Sequence, residues 1–204
     1  MIGDKLTYYP SLSDITSDVI SKLRHEFVHG KRLCIAIGGE SGCGKTSLAY
    51  TLKIDIEKAL GLKGYMFHAD DYFFLPPKDN HNKRLENISN VGINEVNLKL
   101  LDQHILQFNQ GKSSLKKPLV NYSNNAINSE VIDCSSYDFC IVEGTYTLNL
   151  HQPAFKIFMS ASYKETKQNR EDRARDLLND FNERVLEIEH HIIQKHSHLA
   201  HLIV

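Results

Sequence analysis

Gly39-Glu40-Ser41-Gly42-Cys43-Gly44-Lys45-Thr46 matches the pattern G-x-x-x-x-G-K-[ST] at every fixed position. The pattern constrains the fold because it works only as the link between a buried strand and the first turn of a helix. Glycines let backbone N–H groups turn inward around a β-phosphate, Lys45 reaches toward the β- and γ-phosphates, and Thr46 offers a hydroxyl to Mg²⁺. The flanks supply the required context. Leu33-Cys34-Ile35-Ala36-Ile37 is an unbroken apolar run, as expected of a strand buried on both faces. From Thr46 to Leu60, Leu48, Ala49, Leu52, Ile56, Ala59 and Leu60 recur at helical spacing, and Gly61 follows as a stop. The start of that helix adds partial positive charge where phosphates would lie. The expected nucleotide contacts are Gly39, Glu40, Ser41, Gly42, Cys43, Gly44, Lys45, Thr46 and Ser47.

The rest of the chain alternates strands with helices. Ser13 caps a first helix carrying Ile15, Val19, Leu23 and Phe27 on one stripe and ended by Gly30, so residues 1–31 read as a helical extension ahead of the nucleotide core. Tyr65–Ala69 is a second apolar strand, and it ends in Asp70-Asp71. Pro76-Pro77 opens a polar stretch through Asn90 that reads as a mobile surface loop. Asn94–Phe108 predicts a helix closed by Gly111, and the segments Pro118–Tyr122 and Glu130–Ile132 predict a small hairpin. Phe139–Val142 and Ala154–Met159 predict further core strands, the first ending in Glu143-Gly144. A long charged helix from about Lys164 to His198, broken near Arg175, precedes a short final strand at Leu202–Val204. This alternation predicts a three-layer α/β domain built on a mainly parallel sheet of roughly five strands, with a hairpin and a short lid at about 164–178. The 204 residues suit a single domain spanning 1–204. Ligands of such sheets bind outside the carboxyl ends of the strands, where Gly39–Thr46, Asp70-Asp71 and Glu143-Gly144 all fall.

Bulk properties exclude some functions. The net charge of -1 provides no basic field for nucleic acid or an anionic membrane surface. No apolar run approaches the ~20 residues of a membrane span, and Met1–Leu6 lacks the layout of a signal peptide. The cysteines Cys34, Cys43, Cys134 and Cys140 form no C-x-x-C pair and read as reduced thiols of a cytoplasmic protein. Assembly as a homo-oligomer stays open.

Phosphoryl transfer asks a protein for charge neutralisation, alignment and a group that receives the acceptor's proton. Lys45 and Thr46 with Mg²⁺ serve the first need, and Asp70 or Asp71 can act as the base. Glu143, following Ile141-Val142, is placed to hold Mg²⁺ directly or through water. Arg170, Arg173 and Arg175 stand close together, with Arg170 and Arg173 on one helical face, and can clamp a γ-phosphate as part of a lid. His190, His191, His196, His198 and His201 match no strong ligand motif and read as structural histidines on an amphipathic helix. A guanine reader is missing, since Asn82-Lys83-Arg84-Leu85 has Leu85 where Asp is required, so ATP is the expected donor.

Gly38–Thr46, Asp70-Asp71-Tyr72-Phe73, Pro118–Tyr122, Ile141-Val142-Glu143-Gly144 and the arginine-bearing helix follow one another in an order that resembles the uridine kinase/phosphoribulokinase family. The resemblance runs from Arg32 to Val204. It implies an ATP- and Mg²⁺-dependent kinase with Asp70 as catalytic base and also near the metal, Lys45, Arg170 and Arg173 as catalytic groups, and Thr46 and Glu143 at the metal. It also shows departures. Uridine–cytidine kinases grip the ribose with an Asp in an Asn-x-Asp-His-Pro block, where this chain has Asn87-Ile88-Ser89-Asn90-Val91. They read the base through Pro-x-Tyr-Asp-Tyr-x-x-His, where Val120 and Asn125 stand here and Tyr122 alone is retained. The acceptor is therefore expected to be a nucleoside or related sugar-containing molecule, with Tyr72, Arg84 and Tyr122 as candidate contacts. The rival reading is a regulatory ATPase that binds nucleotide without a small-molecule acceptor.

Overall fold

A computed structural model of the chain describes residues 6–28, 31–173 and 179–204. In chain order its regular elements are helix α1 (Ser13–Val28), strand β1 (Leu33–Gly39), helix α2 (Lys45–Leu60), strand β2 (Gly64–His68), helices α3 (Pro77–Glu86) and α4 (Leu98–Asn109), strands β3 (Ser114–Asn121), β4 (Ala126–Asp133), β5 (Phe139–Gly144) and β6 (Phe155–Met159), helices α5 (Lys167–Arg173) and α6 (Asp180–His196), and strand β7 (Leu202–Ile203). Five strands form one sheet in the order β2-β5-β1-β6-β7, and every neighbouring pair runs parallel. β3 and β4 form a separate antiparallel hairpin.

The apolar run of β1 explains the layering. Side chains alternate across a strand, so Leu33, Ile35 and Ile37 join Val19, Leu23, Leu48, Leu52 and Ile56 in a cluster under α1 and α2. Cys34 and Ala36 face the other way, into a cluster with Phe67, Leu101, Ile105, Phe108 and, from α6, Ile193. A strand sandwiched in this way has no solvent face, and all seven of its residues are buried. The four cysteines are free and buried. Among the described residues no helix is long and apolar enough to cross a membrane.

Two elements differ from expectation. The polar stretch after Pro76 is not a loop, because Pro77–Glu86 is helical. Pro77 opens it at a position where the missing N–H is harmless, Asp79 sits in its first turn and Lys83 and Arg84 in its last, which suits the helix dipole. Its buried anchor is Asn80, whose Nδ2 donates to Glu95 Oε1 at 2.8 Å. The helix expected from Asn94 starts at Leu98, since Asn97 caps it by accepting from Leu100 N at 3.0 Å. The long charged helix expected to break near Arg175 is seen as α5 and α6 on either side of residues 174–178, which lie outside the described residues, and α6 has its own cap, Asn179 Oδ1 accepting from Asn182 N.

Candidate active site

The phosphate loop leaves β1 at Gly39 and enters α2 at Lys45. Gly44, at φ 92°, precedes the helix without any side-chain cap, and the first turn of α2 holds no acidic residue. Its leading N–H groups are thus left for an anion. Thr46 and Ser47 lie in that first turn. Lys45 Nζ donates to the Glu40 carbonyl oxygen at 2.7 Å, spanning the loop it would share with phosphates. Cys43 Sγ lies 4.0 Å from the same ammonium.

Register brings the second part of the site together. His68 of β2 is paired with Glu143 of β5, and Glu143 with Ile37 of β1. Both side chains are buried, with His68 Nδ1 2.7 Å from Glu143 Oε1. Burial alone would raise the Glu143 carboxyl, but the His68 hydrogen bond and charge, the Lys45 ammonium and the Thr46 hydroxyl outweigh it and hold the group below the ordinary carboxylate range. The Glu143 anion is therefore favoured at this strand end. The Glu143 carboxylate and the Thr46 hydroxyl are hard oxygen donors of the kind that would suit Mg²⁺.

Asp70 and Asp71 share the tight turn Ala69–Tyr72 at the end of β2. Asp71 is 0 % exposed; its Oδ2 accepts from Lys117 Nζ at 2.8 Å and its Oδ1 from Val120 N at 3.0 Å. It ties the hairpin to the sheet. Asp70 is only half-buried. The acid pair left open by the sequence thus separates by environment.

The first turns beyond β6 lie against the loop. Thr166 Oγ1 donates to Ser41 O at 3.1 Å and Asn169 Nδ2 to Gly42 O at 3.1 Å. Arg170, buried, donates from Nη1 to Tyr163 O at 2.5 Å and to Thr166 Oγ1 at 3.1 Å. Gly42 adopts φ +82°, and a Cβ there would come within 2.8 Å of Arg170 Cγ, so only glycine allows this close approach. Arg175 and the side chain of Arg173 lie outside the described residues.

The expected acceptor contacts end up in different places. Tyr72 is 1 % exposed and packs in the core, its hydroxyl 2.9 Å from His104 Nδ1, so it lines no crevice. Arg84 is held between Glu95 and Glu189 by ion pairs at 2.5 and 3.0 Å. Tyr122 is exposed in the hairpin turn, remote in sequence from the loop.

The structure adds Tyr163, His190 and Gln194 to the surroundings of the phosphate loop, all through Glu40. Glu40 is 2 % exposed although it belongs to the phosphate loop. Its Oε2 accepts from Tyr163 N at 2.6 Å, and its Oε1 meets His190 Nδ1 at 2.7 Å and Gln194 Nε2 at 3.3 Å. One histidine of the C-terminal group thus reaches the phosphate loop. The available signal was the i,i+4 spacing of His190 and Gln194, which puts both on one helical face. His190→Ala is expected to weaken binding of a non-hydrolysable ATP analogue about tenfold, or about 1.4 kcal/mol, because a bond to a charged group orienting the loop is lost. Calorimetric titration checks this, and unchanged affinity would show that Tyr163 and Gln194 suffice.

A model of the family described as phosphoribulokinase/uridine kinase matches residues 34–170, more than half of the chain. Among solved structures, the fold is similar to that of a protein described as a possible uridine kinase from Bacillus stearothermophilus, at 17% identity and a TM-score of 0.57, over 91% of this chain and 98% of that one. It is also similar to phosphoribulokinase from Rhodobacter spheroides, at 14% identity and a TM-score of 0.62, over 84% and 68% of the two chains. A third similar structure is D-glycerate 3-kinase from Cryptococcus neoformans, at 14% identity and a TM-score of 0.58, over 89% and 87%. Identities this low speak to the fold alone. No curated protein sequence matches the chain. A phosphate loop between β1 and α2, an acid at the end of β5 and a family match across both together mean that the chain belongs to the phosphoribulokinase/uridine kinase family.

Proposed function

We propose that the chain is an ATP-dependent kinase that phosphorylates a hydroxyl of a small molecule, working as one domain over residues 1–204 with about 164–178 as a lid. The observation that carries this reading is the placement of the phosphate loop at the end of β1, of Glu143 at the end of the neighbouring strand β5 and of the Asp70 turn at the end of β2, all on the carboxyl edge of one parallel sheet.

In this reading the loop N–H groups and Lys45 bind the β- and γ-phosphates. Thr46 and Glu143 would hold Mg²⁺, with Asp70 nearby; when bound, the ion neutralises phosphate charge. The acceptor oxygen attacks the γ-phosphorus in line, its proton passes to the Asp70 carboxylate, and the bond to the bridging oxygen of ADP breaks. Lys45 and Arg170 spread the developing charge, and Arg173 is proposed to join them. Asp70 as the base and the arginines as a clamp are taken from the resemblance, and the geometry of the loop and of Glu143 supports them.

The family spans different acceptors, and the three similar structures are described as a possible uridine kinase, a phosphoribulokinase and a D-glycerate 3-kinase. The test is ADP release with MgATP across nucleosides, free sugars, sugar phosphates and hydroxy acids. Stimulation by one acceptor, with a phosphorylated product seen by mass spectrometry, is expected. Nucleotide hydrolysis that no acceptor stimulates would favour the regulatory ATPase instead.

A further inference from the structure

An apolar stripe normally fixes the rotation of a helix against its neighbours. In α6 that stripe is thin, since of 17 residues only Val185 and Ile193 are buried. Polar bonds from two adjacent positions do the rest. Glu189 Oε1 accepts from Arg84 Nη2 of α3 at 3.0 Å. His190 Nδ1 meets Glu40 Oε1 of the phosphate loop at 2.7 Å, and Gln194 Nε2 donates to the same oxygen at 3.3 Å. Successive residues project about 100° apart around a helix. Two grips at that angle fix the rotation of α6, where one alone would not.

Both anchors are themselves held. Arg84 is bound by both oxygens of Glu95, Nε–Oε1 at 2.5 Å and Nη2–Oε2 at 2.8 Å. Glu95 also accepts from Asn80 Nδ2 at 2.8 Å and from Gly92 N at 2.7 Å. The start of α3 is tied to the hairpin turn, where Asn125 Oδ1 accepts from Lys78 N at 2.7 Å and Asn125 Nδ2 donates to Asp79 Oδ1 at 3.0 Å. At the other anchor Glu40 is buried, and its backbone oxygen accepts from Lys45 Nζ at 2.7 Å. A continuous series of bonds thus runs from α3 through α6 to the lysine of the phosphate loop.

We infer that Arg84 and Glu189 are positioning residues for the donor nucleotide. They hold α6 at the rotation that sets His190 and Gln194 on Glu40, and Glu40 in turn shapes the loop around Lys45. A carboxylate inside a phosphate loop opposes an anionic ligand unless other groups hold and satisfy it. Besides the bond from Tyr163 N, Glu40 is satisfied from α6, so α6 has to be seated for the loop to take phosphate. Coupling of this kind is reciprocal, and a bound nucleotide therefore favours the docking of α3. The inference rests on the part of the kinase reading that puts ATP on the loop.

The experiment titrates the full chain with a non-hydrolysable ATP analogue and Mg²⁺ by calorimetry, in wild type, Glu189→Ala, Glu189→Gln, His190→Ala and the double variant Glu189→Ala/His190→Ala. Glu189→Ala is expected to weaken binding roughly three- to tenfold, within the range that residues without ligand contact exert on a coupled site. Glu189→Gln keeps an oxygen for Arg84 and should stay within about twofold of wild type. With His190 already removed, Glu189→Ala should add less than about twofold, because its route to Glu40 is reduced to the 3.3 Å bond of Gln194. Arg84 keeps Glu95 in every variant, so no buried cation loses its last partner, and thermal melting confirms that each protein is folded. As the reciprocal readout, saturating analogue should slow amide exchange of α3 in wild type and not in Glu189→Ala. The inference is overturned if Glu189→Ala binds like wild type, if Glu189→Gln is as weak as Glu189→Ala, or if the effect of Glu189→Ala is equally large with and without His190. Slowing of α3 exchange to the same extent in both proteins overturns it too. Each of these results leaves the kinase reading standing. If wild type binds no analogue, the kinase reading fails first and the inference falls with it.

Discussion

Asp70→Asn is expected to lower kcat by about 10²- to 10⁴-fold, the usual contribution of a positioned proton acceptor. The substitution keeps the size of the side chain and removes its negative charge, and with it the ability to take a proton. Asp70 is half-buried on a short turn after β2, so the melting temperature should hardly move. KM for ATP should stay near wild type, because donor binding rests on the loop, Lys45 and Thr46. Steady-state kinetics with the acceptor found by screening, together with calorimetry, measure all three. Retention of full turnover would remove Asp70 from the chemistry.

Asp71→Ala should behave in the opposite way. Asp71 is 0 % exposed and neutralises Lys117, itself 2 % exposed, at 2.8 Å while accepting from Val120 N at 3.0 Å. Removing it leaves an ammonium buried with Glu130 as its remaining carboxylate, at 2.8 Å. Breaking such a pair costs about 3–5 kcal/mol, which for a chain of this length corresponds to a melting temperature lower by roughly 6–20 °C. The hairpin should loosen from the sheet, with faster amide exchange in β3 and β4. If instead Asp71→Ala abolishes turnover in a protein of unchanged stability, Asp71 is the base and the assignment of the two acids reverses.

These neighbours show where sequence reading stops. Their placement at a strand end was legible from the apolar run before them, but a period-2 pattern cannot say which of two adjacent acids meets a buried lysine 46 positions away. The polar segment after Pro76 was misread for a related reason. α3 buries little apolar surface, so it lacks the stripe by which a helix is recognised, and its hold on the protein is polar, through Asn80 and Arg84 on Glu95. Arg84 likewise looked available for a ligand, since nothing local announces Glu95 or Glu189.

By itself the sequence determined the donor half of the site and the layered α/β architecture. Both are written in short-range signals: an apolar strand, a glycine-rich turn with Lys45 and Thr46, and the start of a helix. The fold is what pairs His68 with Glu143, brings His190 of α6 to Glu40 and locks Asp71 away with Lys117. Each of those contacts joins residues far apart in the chain. They depend on strand register and helix docking, which burial of the whole core sets and no local pattern encodes.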